Sequence, residues 1–197
     1  MKNIFLLCAT TVLLTACVSD GAGETQTPDG NKINLSISDK GWVRSKTNNG
    51  ELFGYNSVSS FYGIWLTDGN QASQVRFQGT QTKDMPASGR ATYYGNAVRY
   101  DSVTNNAMPV DGATTLNVDF AAKTVNGTVE MPGLRRDITL HTGRIDGTSY
   151  AGRASVSGDN SGIYQGGFFG ENAKETAGMV QFKDNNSLNT AFGGTRY

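Results

Sequence analysis

Leu116-Asn117-Val118-Asp119-Phe120-Ala121-Ala122-Lys123-Thr124-Val125-Asn126-Gly127-Thr128-Val129-Glu130-Met131 decides the fold class. Leu116, Val118 and Phe120 alternate with Thr115, Asn117 and Asp119. Val125, Val129 and Met131 then fall on one face, with Thr128 and Glu130 on the other. Alternation with a period of two marks a strand that buries one face and solvates the other, as an antiparallel sheet over a single core requires. The same pattern returns in Ile138 and Leu140 against Asp137, Thr139 and His141, and in Ala154 and Val156 against Arg153 and Ser155. Helical periodicity is nearly absent, and only Asn172 to Thr176 suits a turn of helix.

Working outward, eight such runs follow Gly89: Arg90–Tyr100, Thr114–Phe120, Val125–Met131, Arg136–Ile145, Ser149–Ser157, Gly162–Gly170, Ala177–Lys183 and Leu188–Arg196. The predicted class is all-β. Residues 85–197 form an eight-stranded antiparallel up-and-down barrel, which removes exposed sheet edges. Asn49-Gly50, Asp68-Gly69, Asp111-Gly112, Asn126-Gly127 and Asp146-Gly147 suit two-residue hairpin turns. The pairs Gly166-Gly167 and Gly193-Gly194 suit sharp bends in strands. Residues 32–84 read as a small β subdomain with runs near Ile33–Ile37, Leu52–Val58, Tyr62–Leu66 and Gln74–Gly79, joined to the barrel through Met85-Pro86-Ala87-Ser88-Gly89.

The first residues carry an address. Lys2 precedes the apolar run Ile4 to Leu14, which is too short to span a bilayer and reads as an export signal over residues 1–16. Leu14-Thr15-Ala16-Cys17 has the pattern of a lipoprotein cleavage site, in which the Cys17 thiol takes a diacylglyceryl group, with palmitate as a typical chain. Cys17 then tethers the mature chain to lipid without crossing it. Val18 stands where an Asp would favour the inner membrane, so the outer membrane is expected. Residues 17–31, rich in Ser, Gly, Thr, Asp and Gln, read as the lipidated cysteine and a flexible tether. The 17 basic and 17 acidic side chains leave no basic stripe for nucleic acid. Cys8 leaves with the signal and Cys17 carries lipid, so no disulfide is expected to staple the fold.

Three segments carry a resemblance. Leu116 to Phe120 with Lys123 to Gly127, Gly167-Phe168-Phe169-Gly170-Glu171-Asn172-Ala173-Lys174-Glu175-Thr176-Ala177-Gly178, and Phe192-Gly193-Gly194-Thr195-Arg196 resemble motifs of the transferrin-binding protein B-like and factor H-binding protein-like surface lipoproteins. Ala91-Tyr93-Tyr94-Gly95 extends the match to the first barrel strand, and Glu171-Asn172 departs from it where the family usually has Pro. The resemblance implies a handle subdomain beside an eight-stranded barrel on the surface of a Gram-negative bacterium. It implies a binder rather than an enzyme, with a host serum or surface protein as partner and factor H among the candidates. It also implies export to the outer face by a surface lipoprotein assembly modulator. No binding residue is carried over, because the family's contacts lie in variable loops.

Candidate sites follow from residue chemistry. Phe53, Tyr55, Phe61, Tyr62 and Trp65 concentrate aromatic rings in fifteen residues. They supply a subdomain core, or one or two of them are exposed and anchor a partner, with Phe53, Tyr55, Phe61 and Tyr62 as the candidates. On that reading Asn56 to Ser60 forms a hairpin loop at a distal tip. Arg135-Arg136, beside the Met131-Pro132-Gly133 turn, suits an acidic protein surface. His141, the single histidine, is a candidate axial haem ligand in an alternative reading of nutrient capture; otherwise no cofactor is expected. One histidine and no free mature cysteine cannot assemble the usual zinc ligands. No G-x-S-x-G elbow accompanies His141 for a hydrolase triad.

Overall fold

A computed structural model describes residues 21–27, 30–36, 40–67, 71–101, 108–134 and 136–197. Cys17 and the export signal lie outside the described residues, as do Asp68-Gly69 and Arg135. Eight strands close into a barrel: β7 (Arg90–Asp101), β8 (Met108–Asp119), β9 (Thr124–Glu130), β10 (Ile138–Asp146), β11 (Ser149–Val156), β12 (Asp159–Phe169), β13 (Glu175–Phe182) and β14 (Thr190–Thr195). Each pairs with its successor in antiparallel register, and β14 returns to β7. The eight runs expected from alternation correspond to these eight strands. Leu116, Val118, Val125, Val129, Ile138, Leu140, Ala154 and Val156 all point into the buried core.

Two expected turns fall inside strands. Asp111-Gly112 lies in β8 and Asn126-Gly127 in β9, and the chain turns instead through 120–123. A Cβ on Gly127 would sit 2.1 Å from the Thr115 carbonyl oxygen. That glycine serves the close approach of two strands, not a turn.

Eight strands leave an interior that side chains just fill. Here the filling is aromatic. Phe168 packs against Tyr93, Phe120 and Tyr150, with ring centroids 5.8, 5.8 and 5.2 Å away. The buried hydroxyls all find partners. Tyr93 donates to the Ala173 carbonyl at 2.6 Å, and Tyr150 shares a hydrogen bond with Thr176 Oγ1 at 2.7 Å. Tyr164 reaches the carbonyls of His141 and Val125, at 2.7 and 3.0 Å, where β10 breaks register after Leu140. Burial pushes the Tyr164 hydroxyl up to about 12. The lumen is a packed core.

The smaller unit has two layers. A four-stranded sheet runs in the order β3 (Gly41–Thr47), β4 (Gly50–Asn56), β5 (Ser60–Thr67), β6 (Gln71–Gly79). A hairpin of β1 (Gly21–Gln26) and β2 (Lys32–Ser36) covers one face, burying Leu52, Phe61 and Trp65 under Ala22 and Leu35. The tether expected over residues 17–31 is therefore corrected, since Gly21–Gln26 is a paired strand. Gln78 holds it by donating to the carbonyls of Ala22 and Glu24, at 2.9 and 2.8 Å.

The other face of the small sheet lies on the barrel wall. Tyr62, Ile64 and Leu66 of β5 pack on Val98 and Tyr100 of β7, Ala177 of β13, Ala191 of β14, and Phe169. The Tyr62 ring sits directly over Gly193, where a Cβ would lie 2.3 Å from its Cε1 atom. Gly193-Gly194 is thus a side-chain-free seat for a ring of the small sheet, rather than the corner bend that the sequence suggested. β6 ends at Gly79 and β7 begins at Arg90, with residues 80–89 between them.

Candidate functional site at the junction of handle and barrel

The turn between β4 and β5 does not project as the distal tip that the partner-anchoring alternative expects. Glu175, only 3% exposed at the start of β13, captures it. Its Oε1 accepts from the Val58 amide at 3.1 Å, and its Oε2 accepts from the Ser59 amide at 3.0 Å and the Ser60 hydroxyl at 2.8 Å. One carboxylate thus satisfies three donors of a tight turn, each a charge-assisted bond. Thr80 and Gly170 extend the stitching, with the Thr80 amide on the Ser59 carbonyl and the Gly170 amide on the Thr80 carbonyl.

Two depressions flank this latch. The smaller, about 190 Å³, is lined by Tyr55, Tyr62, Tyr94, Tyr197, Ser57 and Asn96, among others. The larger, about 790 Å³, adds Val58, Glu171, Asn172, Lys174 and Arg196. Ser57, Thr195 and Tyr197 border both, so the two form one bipartite groove. Its larger half is walled by a stiff loop. Asn172 and Ala173 both adopt positive φ (51° and 55°), a conformation that costs non-glycine residues energy and persists only when the surroundings enforce it. Thr82 Oγ1 accepts from the Ala173 amide, Tyr93 donates to the Ala173 carbonyl, and Arg196 reaches the Asn172 carbonyl.

Aromatic rings lead away from the groove along the small sheet. Tyr62 stacks on Tyr55, Tyr55 meets Trp42 edge-on at 5.4 Å, and Trp42 stacks on Phe53 at 5.1 Å. Trp42 is 42% exposed, Val58 42% and Tyr94 57%. Tyrosine, serine, glycine and asparagine together make a surface of rigid amphipathic rings with adaptable polar neighbours, the composition that binding loops favour.

The sequence candidates divide. Phe53 and Tyr55 belong to this surface and are half-buried. Phe61 and Tyr62 are corrected as contact anchors. Phe61 is buried under the β1–β2 hairpin and Tyr62 is clamped against Gly193, so neither ring is free to seat a partner. Arg136 is exposed where β14 begins, the opposite end of the barrel from the groove, and its carbonyl accepts from the buried Arg99 at 3.0 Å. The structure does not bring it to Phe53 and Tyr55. His141 stands exposed on the outer wall, 2.8 Å from Ser155 Oγ. Trp42, Glu175 and Tyr197 are not among the candidates that the sequence offers, and Val58 enters only as part of the loop Asn56 to Ser60. Only Trp42 had a local signal, its place in the alternation Lys40-x-Trp42-x-Arg44-x-Lys46.

Comparison with known proteins places the barrel in a family. Residues 85–196 match the family described as the C-lobe and N-lobe β-barrels of Tf-binding protein B. Over 165 residues the chain is 28% identical to transferrin-binding protein B of Moraxella catarrhalis, a match spanning 73% of this chain and 22% of that protein. Over 120 residues it is 27% identical to the neisserial heparin binding antigen of Neisseria meningitidis serogroup B, covering 60% of this chain and 24% of that one. The chain thus spans about a quarter or less of these two relatives. In fold it is similar to HpuA of Kingella denitrificans, solved in complex with human haemoglobin, with a TM-score of 0.68 at 20% identity over 88% of this chain and 76% of that one.

Proposed function

The chain belongs to the family of the C-lobe and N-lobe β-barrels of Tf-binding protein B, and from that membership we propose a surface lipoprotein that grips a host macromolecule at the junction of handle and barrel. One observation carries the reading. Among the described residues five large apolar or aromatic side chains are exposed, and four of them, Trp42, Val58, Tyr94 and Tyr197, line or adjoin the bipartite groove; Ile163 alone lies elsewhere. Monomeric surfaces rarely cluster such residues unless a partner covers them. The packed, tyrosine-filled lumen offers the ligand no interior, so contact is external.

A complement regulator such as factor H is the finer identity we assign to the partner, in immune evasion or colonisation. A second reading, iron acquisition, is favoured by the similar proteins, among them a transferrin-binding protein and a protein solved with haemoglobin. Affinity capture with the mature chain decides between them. Host serum and erythrocyte lysate are passed over it, and the retained protein is identified by mass. The expected result is one retained regulator, with Trp42→Ala/Tyr94→Ala weakening its binding at least tenfold, about 1.4 kcal/mol. Retention of transferrin or haemoglobin instead moves the assignment to iron, and retention of nothing removes the function.

The placement we propose is an outer-membrane lipid anchor through Cys17 facing outward, with an assembly modulator carrying the chain across. Labelled palmitate is expected to enter the wild-type chain and not Cys17→Ser. Equal labelling of both would remove the anchor.

A further inference from the structure

The capture function leaves open how a partner backbone meets this surface, and the outer side of β3 supplies an answer that rests on that function. Among the described residues β3 pairs only with β4, so alternate amide and carbonyl groups along its outer side have no strand partner. Strand alternation puts Trp42, Arg44 and Lys46 on one face of β3, Lys40 stands just before the strand, and all four are exposed. Same-face neighbours in a strand stand about 7 Å apart, so the row from Trp42 to Lys46 runs roughly 14 Å. Tyr55, Phe53 and Glu51 lie opposite Trp42, Arg44 and Lys46 on β4. Arg44 forks onto Glu51, which leaves Lys40 and Lys46 without a carboxylate among the described residues.

We propose that β3 is a docking edge for an extended segment of the partner carrying acidic residues at alternate positions. An added strand places its own alternate side chains at the spacing of the lysines and arginine, and its backbone satisfies the unpaired groups. The same charges exclude a second copy of this chain. In an antiparallel self-pair centred on Arg44, that arginine would face its own copy, and like charges directly opposite one another destabilise a sheet. Trp42 sits between the charges and gives the incoming strand one apolar position to cover. A sulfated glycan would answer the charge and the spacing but not the free amides, so the edge selects a peptide.

The test uses a fluorescein-labelled eight-residue peptide with glutamate at alternate positions, read by fluorescence polarisation on the mature chain. Lys40→Glu/Lys46→Glu is expected to raise the dissociation constant at least tenfold. Methylating the peptide's alternate amide nitrogens in one register is expected to abolish binding, and methylating those in the other register to leave it intact. No binding by the wild type, equal binding of both methylated series, or displacement of the peptide by a sulfated oligosaccharide of equal charge overturns the proposal. The outcomes separate from those of host capture. A retained host protein with no peptide binding sinks the strand edge alone, whereas peptide binding with no retained host protein sinks the capture function alone.

Discussion

Replacing Gly193 by valine is expected to lower the stability of the folded chain by about 3 kcal/mol or more and to free the small sheet from the barrel. The reason is geometric. A Cβ at this position would lie 2.3 Å from Tyr62 Cε1, 2.4 Å from Tyr62 Cδ1 and 2.7 Å from the Thr176 carbonyl oxygen. Tyr62 cannot retreat cheaply, because it is 2% exposed, stacks on Tyr55 and accepts from the Asn96 amide at 3.3 Å. Either the ring leaves its seat or strand β14 moves away from β13. Gly167→Ala is the control, since its Cβ would meet only the Phe169 ring edge at 3.2 Å, the Thr148 carbonyl oxygen at 3.4 Å and the ring again at 3.5 Å. Denaturant titration reads the difference, and hydrogen exchange across Ser60–Thr67 reports whether the handle has come loose. A Gly193→Val protein as stable as Gly167→Ala would show that the ring does not rest there.

Glu175→Ala is expected to cost about 2–4 kcal/mol, because it strands three donors at once. The Val58 and Ser59 amides and the Ser60 hydroxyl all point at its oxygens from 2.8 to 3.1 Å. Glu175→Gln keeps the volume, yet its amide nitrogen would face a backbone donor with another donor, so only part of the loss is recovered. The two substitutions bear on different halves of the same contact, one apolar and one polar. A double-mutant cycle with Gly193→Val is expected to show coupling, since a handle already loosened has less to lose. Chemical denaturation of the four proteins gives the cycle. Strict additivity would mean that ring seat and carboxylate latch hold separate structures.

The barrel was legible because its strands obey one rule. Away from the wall that the small sheet covers, each buries a single face against one core, so Leu116, Val118 and Phe120, or Ile138 and Leu140, announce their direction by spacing alone. The small sheet obeys no such rule. β3 is an edge strand with exposed Trp42, Arg44 and Lys46 on one face and half-buried Val43 and Ser45 on the other, so its contrast is weak. β1 is made of Gly, Ala, Glu, Thr and Gln and is held by side chains from β6, more than fifty residues away. Glycine pairs misled for a related reason. Asn126-Gly127 has the chemistry of a turn, but that glycine is spent on an approach to Thr115 that only the folded barrel reveals. At the candidate site the aromatic concentration of Leu52 to Leu66 was visible. The assignment of its rings was not, because alternation separates Phe61 from Tyr62 without saying which layer covers each face. Glu175 meets its turn across some 115 residues of chain, and no local pattern carries that.

On the proposed function, a partner covers the groove where handle meets barrel. Hydrogen exchange of the mature chain, with and without its captured partner, measures this directly. The expected result is new protection at Ser57–Ser59, Tyr94–Asn96 and Thr195–Tyr197. Protection confined to the opposite end of the barrel, around Pro132–Leu134, Arg136 and Asn185–Asn189, would contradict it.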